Sequence, residues 1–305
     1  MVSYQQDSFI GQANVVGVAN WDVDRWQYLN HADFWHGHAV REIKKTYGHD
    51  VSIYRKSKTL NKFGRNTNNV SGEQFTVMDF QGDVFNESLL SSNAIDSIVS
   101  SSGSDTETIR VEGHTQDANG LLTFVVQNVT LTGQTPASLT TPLARVTRAY
   151  VANGTFASPA SDLVGTVAIY DSSSSSGVGS GVPNTDAAVH AQIRGAAGKN
   201  QTEKCATAVS NSDYWLIREA HCASGRTGGT SSNVDFEIEV RQLGGVWRPV
   251  GMEVSMRNTV NPFESVDLYP LIIVPPNSDV RMVATATVSD TPVAGRIEGV
   301  LAQIV

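Results

Sequence analysis

The strongest constraint in this sequence is an alternation of period two. In Val234–Arg241, the residues Val234, Phe236, Ile238 and Val240 take every second place, and Asp235, Glu237, Glu239 and Arg241 take the places between. Successive side chains of a strand point to opposite faces, so a segment written this way buries one face and wets the other. Leu122–Leu131 repeats the pattern. Phe124, Val126, Asn128 and Thr130 face one way, and Val125, Gln127, Val129 and Leu131 the other. The turn Asp117-Ala118-Asn119-Gly120 ahead of it predicts a hairpin with 108–113. Further strands are predicted over 144–151, 164–170, 189–194, 214–221, 246–256, 268–274, 280–288 and 296–305. Short strands at such intervals, with no helical pattern between them, exclude a parallel α/β sheet and predict a mainly β fold. Its body is an antiparallel sandwich of jelly-roll type over 105–305. One sandwich is expected there, with two smaller ones as the alternative. The run Asp171–Gly181, with its consecutive serines, predicts a flexible loop within it.

Ahead of residue 105 the period changes. Phe34, Trp35, His38, Ala39, Ile43 and Tyr47 recur at three- and four-residue spacing, which predicts one short amphipathic helix over 33–47. Asn30 or Asp33 supplies its N-cap, Gly48 its stop, and Lys44 and Lys45 lie in the last turn, where cations complement the helix dipole. Upstream, Trp21, Trp26 and Tyr28 stand in a polar stretch too irregular for a core of its own, so this stretch reads as an extended arm laid on another surface. Residues 1–104 are thus expected to be an arm and helix making attachment and subunit contacts.

Charge divides the chain in the same way. The whole carries 22 basic and 30 acidic residues, a net of −8, yet 41–65 holds eight basic residues against two acidic ones. That segment is at +6 and leaves the rest at −14. Such a balance excludes a protein whose whole surface binds nucleic acid, but leaves a local basic patch able to dock on an acidic one. Together with the aromatic residues it defines an expected contact set: Trp21, Trp26, Tyr28, Trp35, Arg41, Lys44, Lys45, Arg55, Lys56, Lys58, Lys62 and Arg65. No stretch approaches 18 apolar residues, so no membrane span is expected. The start lacks the basic and apolar regions of a signal peptide, so synthesis in a cytosol is expected.

No constellation reads as catalytic, metal-binding or cofactor-binding. His31, His36 and His38 lie close to Asp33, but on a helix His36 and His38 point to opposite sides, so packing or interface roles are expected. Cys205 and Cys222 are too few and too far apart for a zinc knuckle and read as buried thiols. Gly179-Ser180-Gly181 lacks the spacing of a nucleophile elbow, and Gly198-Lys199 that of a phosphate loop. Asp22 with Asp24 and Asp117 with Asn119 read as turn formers rather than calcium ligands. Asp235, Glu237 and Glu239 read as a solvated strand face, not as a glycosidase pair. The five Asn-x-Ser/Thr sequons, at Asn69, Asn86, Asn128, Asn153 and Asn200, follow from a surface rich in Asn, Ser and Thr.

Six pieces in order, Thr59–Asn66, Asp105–Gly113, Val129–Thr135, Arg145–Tyr150, Gly198–Thr202 and Val274–Arg281, resemble a group of virion structural proteins of tailed bacteriophages, many from aquatic hosts. The likeness spans 59–305 and lies in the order of the pieces. It implies a capsid-associated β-sandwich in the virion, made in the host bacterial cytoplasm, and it brings no catalytic residue. The expected function is therefore non-enzymatic: a capsid decoration or cement protein that binds the major capsid protein and itself. Its expected assembly is a homo-oligomer, most simply a trimer. A head-fibre, neck or tail component binding host carbohydrate is the alternative, and a polysaccharide-degrading enzyme a third class.

Overall fold

The structure is a computed structural model and describes residues 36–52, 59–67, 69–80, 90–152, 161–195, 200–225, 231–257 and 262–305. Its chain enters through helix α1, 36–47, and three strands: β1 (Val51–Ser52), β2 (Thr59–Asn66) and β3 (Gln74–Thr76). A contiguous run follows: β4 (Ile95–Ser100), β5 (Thr108–Gln116), β6 (Leu122–Thr130), β7 (Ala137–Leu143), β8 (Arg145–Val151), β9 (Thr166–Tyr170), β10 (Val178–Gly179), β11 (Val182–Pro183) and β12 (Val189–Arg194). The C-terminal third supplies β13 (Ala206–Ala208), β14 (Asp213–Ser224), β15 (Asn233–Gln242), β16 (Arg248–Arg257), β17 (Phe263–Val274), β18 (Ser278–Ala286) and β19 (Val293–Ile304).

These strands build two antiparallel sandwiches. In one, β19-β14-β17, with β1 and β2 both on the outer edge of β19, faces β18-β15-β16, with β3 and β13 both on the edge of β18. From β13 to β19 the chain changes sheet at every step except the β15–β16 hairpin. That is jelly-roll winding. The other sandwich, β6-β5-β8 over β12-β9-β4-β7, is inserted between β3 and β13. The mainly β, antiparallel architecture is as the alternation predicts, and the inward residues Val125, Val129 and Leu131 pack into the inserted core while Phe124 and Val126 are exposed.

Each sandwich has its own core. Trp215, Ile217, Val234, Phe236, Ile238, Met282 and their neighbours fill the jelly roll, with Phe75 and Val77 contributed from β3 and its continuation. Ile95, Ile98, Val99, Ile109, Val111, Leu143, Val167, Ile169 and Ile193 fill the inserted one. The 104/105 boundary expected from the period therefore falls inside the inserted sandwich. β4 lies in its four-stranded sheet, and β2 and β3 are edge strands of the jelly roll. The jelly roll closes tightly at Gly64, where a Cβ would collide with the Val77 carbonyl oxygen and fall 2.6 Å from the Cys205 amide nitrogen.

Helix α1 packs on the outside of the β19-β14-β17 sheet. Ala39 and Ile43 are buried against Tyr214, Leu216, Leu271 and Ala302. Gly48 (φ +74°) ends the helix, donating its amide to the Lys44 carbonyl, which is the left-handed stop the sequence predicts. His49 Nδ1 lies 2.7 Å from the Tyr214 hydroxyl and ties the exit of the helix to β14.

The serine run is a correction. Asp171–Gly181, expected as a flexible excursion, is hydrogen-bonded along its length. The Asp171 carboxylate accepts from the backbone and hydroxyl of Ser173 and from the hydroxyl of Ser174, and β10 pairs with β11 in a small hairpin. Burial alone would raise the Asp171 pKa, but the bonds from Ser174 and Ser173 outweigh it and hold the group below its ordinary value. Gly181 (φ +74°) sits so close to the Ser100 carbonyl that no side chain fits, which explains its glycine.

Candidate functional site

The described residues cover half of the outer face of the β2-β19-β14-β17 sheet. α1 takes the apolar end, and among the described residues nothing covers three cross-strand rows at the other. Register places Arg65, Ala294, Ala223 and Phe263 in one row, Phe63, Arg296, His221 and Ser265 in the next, and Asn61, Glu298, Glu219 and Asp267 in the third. Small residues in the first row leave a cleft of about 240 Å³ between Phe63 and Phe263, which are 38% and 57% exposed. His221 stacks on Phe263 at 6.0 Å between ring centroids.

Glu219, His221 and Glu298 bring one ligand atom each within 4.8 Å of one another. A bulge between Ile217 and Glu219 makes this possible: Ile217 faces the core, and the extra residue turns Glu219 and His221 to the outer face, with Glu219 opposite Glu298. One imidazole and two carboxylates are a donor set that suits zinc. Here, however, arginines occupy the acid. Arg296 ion-pairs with Glu298 Oε1, Arg218 lies 3.3 Å from Oε2, and His221 Nε2 is 3.2 Å from Glu219 Oε1. An ion would have to displace a guanidinium, so the arrangement is a satisfied ion-pair network.

Of the expected contact residues, Trp21, Trp26, Tyr28, Trp35, Arg55, Lys56 and Lys58 lie outside the described residues. Arg41, Lys44 and Lys45 are exposed on α1, where Lys44 ion-pairs with Asp50. The last two members are corrected. Arg65 is 2.9 Å from Glu203 and 3.7 Å from Asp79, which also binds Arg194 at 3.0 Å. Lys62 is 5% exposed and donates to the Thr147 carbonyl oxygen of the inserted sandwich. Both therefore serve the chain's own fold, because strand β2, read as part of an arm, is an edge strand packed at the junction.

That junction is the polar centre of the molecule. Arg145, buried on β8, bonds both carboxylate oxygens of Asp279 on β18, at 2.7 and 3.3 Å, and donates to the carbonyls of Leu90 and Ala144. Lys204 is buried and donates to the carbonyls of Val146 and His190 at 3.0 and 3.1 Å. Burial and the charges of Arg145 and Lys62 push the pKa of His114 down to about 3. Burial and the charge of Lys204 push His190 down to about 4. Burial and Lys204 lower Lys62 to about 7. Sequence reasoning missed this centre because its members, Lys62, His114, Arg145, His190, Lys204 and Asp279, come from six separated segments, and only the basic character of Lys62 was visible.

The other sequence-level candidates resolve simply. Cys205 and Cys222 are free and buried, and burial raises both thiols, Cys222 to about 12. The Asp117 carboxylate accepts the amides of Asn119 and Leu121, which is a turn role. The face bearing Asp235, Glu237 and Glu239 is solvated only in part. Glu239 is buried in an ion pair with Arg281 at 2.7 Å, under Trp247, whose ring lies 4.3 Å from the guanidinium carbon. Burial, then the charges of Glu239, Glu253 and Asp235, raise the pKa of Glu237.

The fold defines an antiparallel β protein of two sandwiches, one wound as a jelly roll. No protein-family model matches the sequence, and no curated protein matches it. Among solved structures, alignments reach the mosquito-larvicidal Cry4Aa toxin of Bacillus thuringiensis, at 11% identity and TM-score 0.21, covering 82% of this chain and 52% of the toxin. The Gx strain of infectious bursal disease virus aligns at 10% identity and TM-score 0.19, covering 88% and 82%. The VP2 subviral particle of the same virus aligns at 9% and 0.18, again covering 88% and 82%. This chain thus spans about half the length of the toxin. At these TM-scores the alignments assign neither relationship nor function. No helix among the described residues is long and apolar enough to cross a membrane.

Proposed function

We propose that this chain is a non-enzymatic virion structural protein, a decoration or cement protein that binds a major capsid shell and other copies of itself. The observation that carries the reading is the jelly roll with a second sandwich inserted between β3 and β13. Jelly rolls recur in viral capsids, lectins and cupins. A cupin-type site needs polar ligands inside the barrel, whereas the inner faces described here are lined by Phe75, Trp215, Phe236, Met282 and other apolar side chains. A packed interior leaves the outer surfaces and the arm to do the work, as a component repeated over a shell requires.

The attachment contacts belong to residues 1–35 in this reading, since α1 is committed to its own sheet. The test uses particles of the virus that encodes the chain. Quantitative mass spectrometry should find on the order of hundreds of copies per particle, as for a subunit repeated by shell symmetry. Deleting 1–35 should leave a folded protein that no longer binds particles stripped of it. Binding by the truncated chain, or its absence from particles, overturns the proposal. A count of about six to twelve, the size of a closed ring, favours a neck or tail component instead. One feature favours that alternative and a carbohydrate ligand: the open cleft between Phe63 and Phe263, with Arg65, Glu203 and Arg296 in its wall.

A further inference from the structure

Where the inserted sandwich meets the jelly roll there is a cavity of about 540 Å³. Four basic side chains line it, Lys62, Arg148, Lys204 and Arg296, together with Asn61 and Thr202; Phe63 completes the wall, which holds no carboxylate. Lys62 and Lys204 are 5% and 2% exposed, and each ammonium is oriented by backbone carbonyls, Thr147 for the first, Val146 and His190 for the second. Among the described residues the Lys62 ammonium has no carboxylate within ion-pair distance. Arg148 is held from both sides, by the Gln201 side-chain oxygen at 3.0 Å and by the Tyr150 ring at 4.5 Å. Arg296 enters from β19 and also pairs with Glu298. Thr202 Oγ1 accepts the Ala149 amide and keeps its hydroxyl proton for a ligand.

The Lys62 ammonium, buried, oriented and facing a wall without a carboxylate, is a site waiting for an anion. We propose that this cavity binds a small oxyanion of the phosphate class and so clamps the two sandwiches together. Arginine offers a planar fork of donors and lysine a point charge, the pair of chemistries that a tetrahedral oxyanion accepts from several directions. Ligands would come from β2 and β19 of the jelly roll and from β8 of the inserted sandwich. A net charge of −8 disfavours an extended polyanion such as nucleic acid, whereas an anion contained by the cavity meets only its basic wall.

The experiment is calorimetric titration of the full chain with sodium phosphate at pH 7, with ionic strength held constant by chloride. Saturable binding is expected, and it should weaken by about tenfold or more in Arg148→Ala and in Lys62→Met, each of which removes a charge-assisted contact. Arg148 is exposed, and Lys62→Met keeps the shape while removing a buried charge, so both variants should fold, as circular dichroism will report. Phosphate itself titrates near pH 7, so the readout is the difference from Lys62→Met: the wild type should take up more protons on binding than the variant, read as a dependence of the heat on buffer. A tripolyphosphate arm shows whether a linked phosphate is held as well as a free one: tripolyphosphate binding that both variants weaken as they weaken phosphate binding supports the proposal, and tripolyphosphate binding that neither variant weakens overturns it. No saturable phosphate binding, equal binding in wild type and both variants, or binding of a single-stranded oligonucleotide without binding of phosphate overturns it.

Discussion

The two sandwiches reach the same architecture by opposite routes. The inserted one is built from a contiguous stretch, β4 to β12, whose strands pair with near neighbours in sequence. The jelly roll waits for its ends. β2 pairs with β19 over eight positions from Asn66 with Val293 to Thr59 with Val300, so its outer sheet is complete only when nearly the whole chain is in place. Closing such a loop spends chain entropy before any contact returns it, which makes the inserted unit the earlier one to form in this physical picture. Their cores differ as well. The jelly roll packs Met252, Met256, Met282 and two cysteine thiols among its aromatic and aliphatic residues, soft groups that fill irregular space, whereas the inserted core is dominated by Ile, Val and Leu. Titratable burial is concentrated where the two meet, at Lys62, His114 and His190. An architecture with one late-closing unit and one local unit therefore concentrates its electrostatic risk at the seam.

The largest expected effect comes from breaking that seam. Asp279→Ala leaves the Arg145 guanidinium buried without its carboxylate, which should cost about 3–5 kcal/mol and split a single thermal transition into two, one per sandwich. The double variant Arg145→Met, Asp279→Leu should recover most of the loss, because an apolar pair leaves no buried charge. A single variant that melts in one step within about 1 kcal/mol of wild type would mean that the seam does not couple the units.

Acid probes the same difference through protons. His114 and His190 have folded pKa values lowered to about 3 and about 4 from 6.5, by burial first and by neighbouring cations second. Above pH 6.5 neither state binds the proton. As pH falls below 6.5, the unfolded chain takes up protons that the folded chain refuses, so stability is lost on the way down to about pH 4. Each histidine contributes about 1.4 kcal/mol per pH unit in that window, giving a loss of about 2–4 kcal/mol between pH 7 and pH 5 in urea titrations. His190→Gln should remove about half of it. A urea midpoint unchanged over that range would refute buried neutral histidines at the junction.

The smallest effect belongs to the surface. Lys44 and Asp50 are exposed, so Lys44→Ala should change stability by no more than about 0.5 kcal/mol, and this small shift should vanish in high salt. A larger loss would mean that the α1 terminus carries more of the jelly roll's stability than its ion pair suggests.

Legibility followed the range of the interaction concerned. Strand and face were readable wherever one side of a strand is wet, as at Val234–Arg241, because side-chain direction in a strand is set by the backbone residue by residue. The helix and its glycine stop were readable for the same reason. Asp171–Gly181 was misread because composition suggests disorder, while the ordering agent is a single carboxylate collecting local bonds, with Gln134 reaching across to the Ser180 carbonyl. Lys62 was misread because a lysine near other lysines looks solvated. Its carbonyl partner, Thr147, lies on a different sandwich.

Alternation alone determined that this chain is an antiparallel β protein and which side chains turn inward along most of its strands, since both are properties of the local backbone. The winding of the jelly roll, the place of the inserted sandwich and the cation-lined cavity between them were decided only in three dimensions. Each depends on which distant strand becomes a neighbour. A bulge of one residue at Ile217–Glu219, or an edge strand such as β2 taken from the far end of the chain, changes the company a side chain keeps without changing its own sequence.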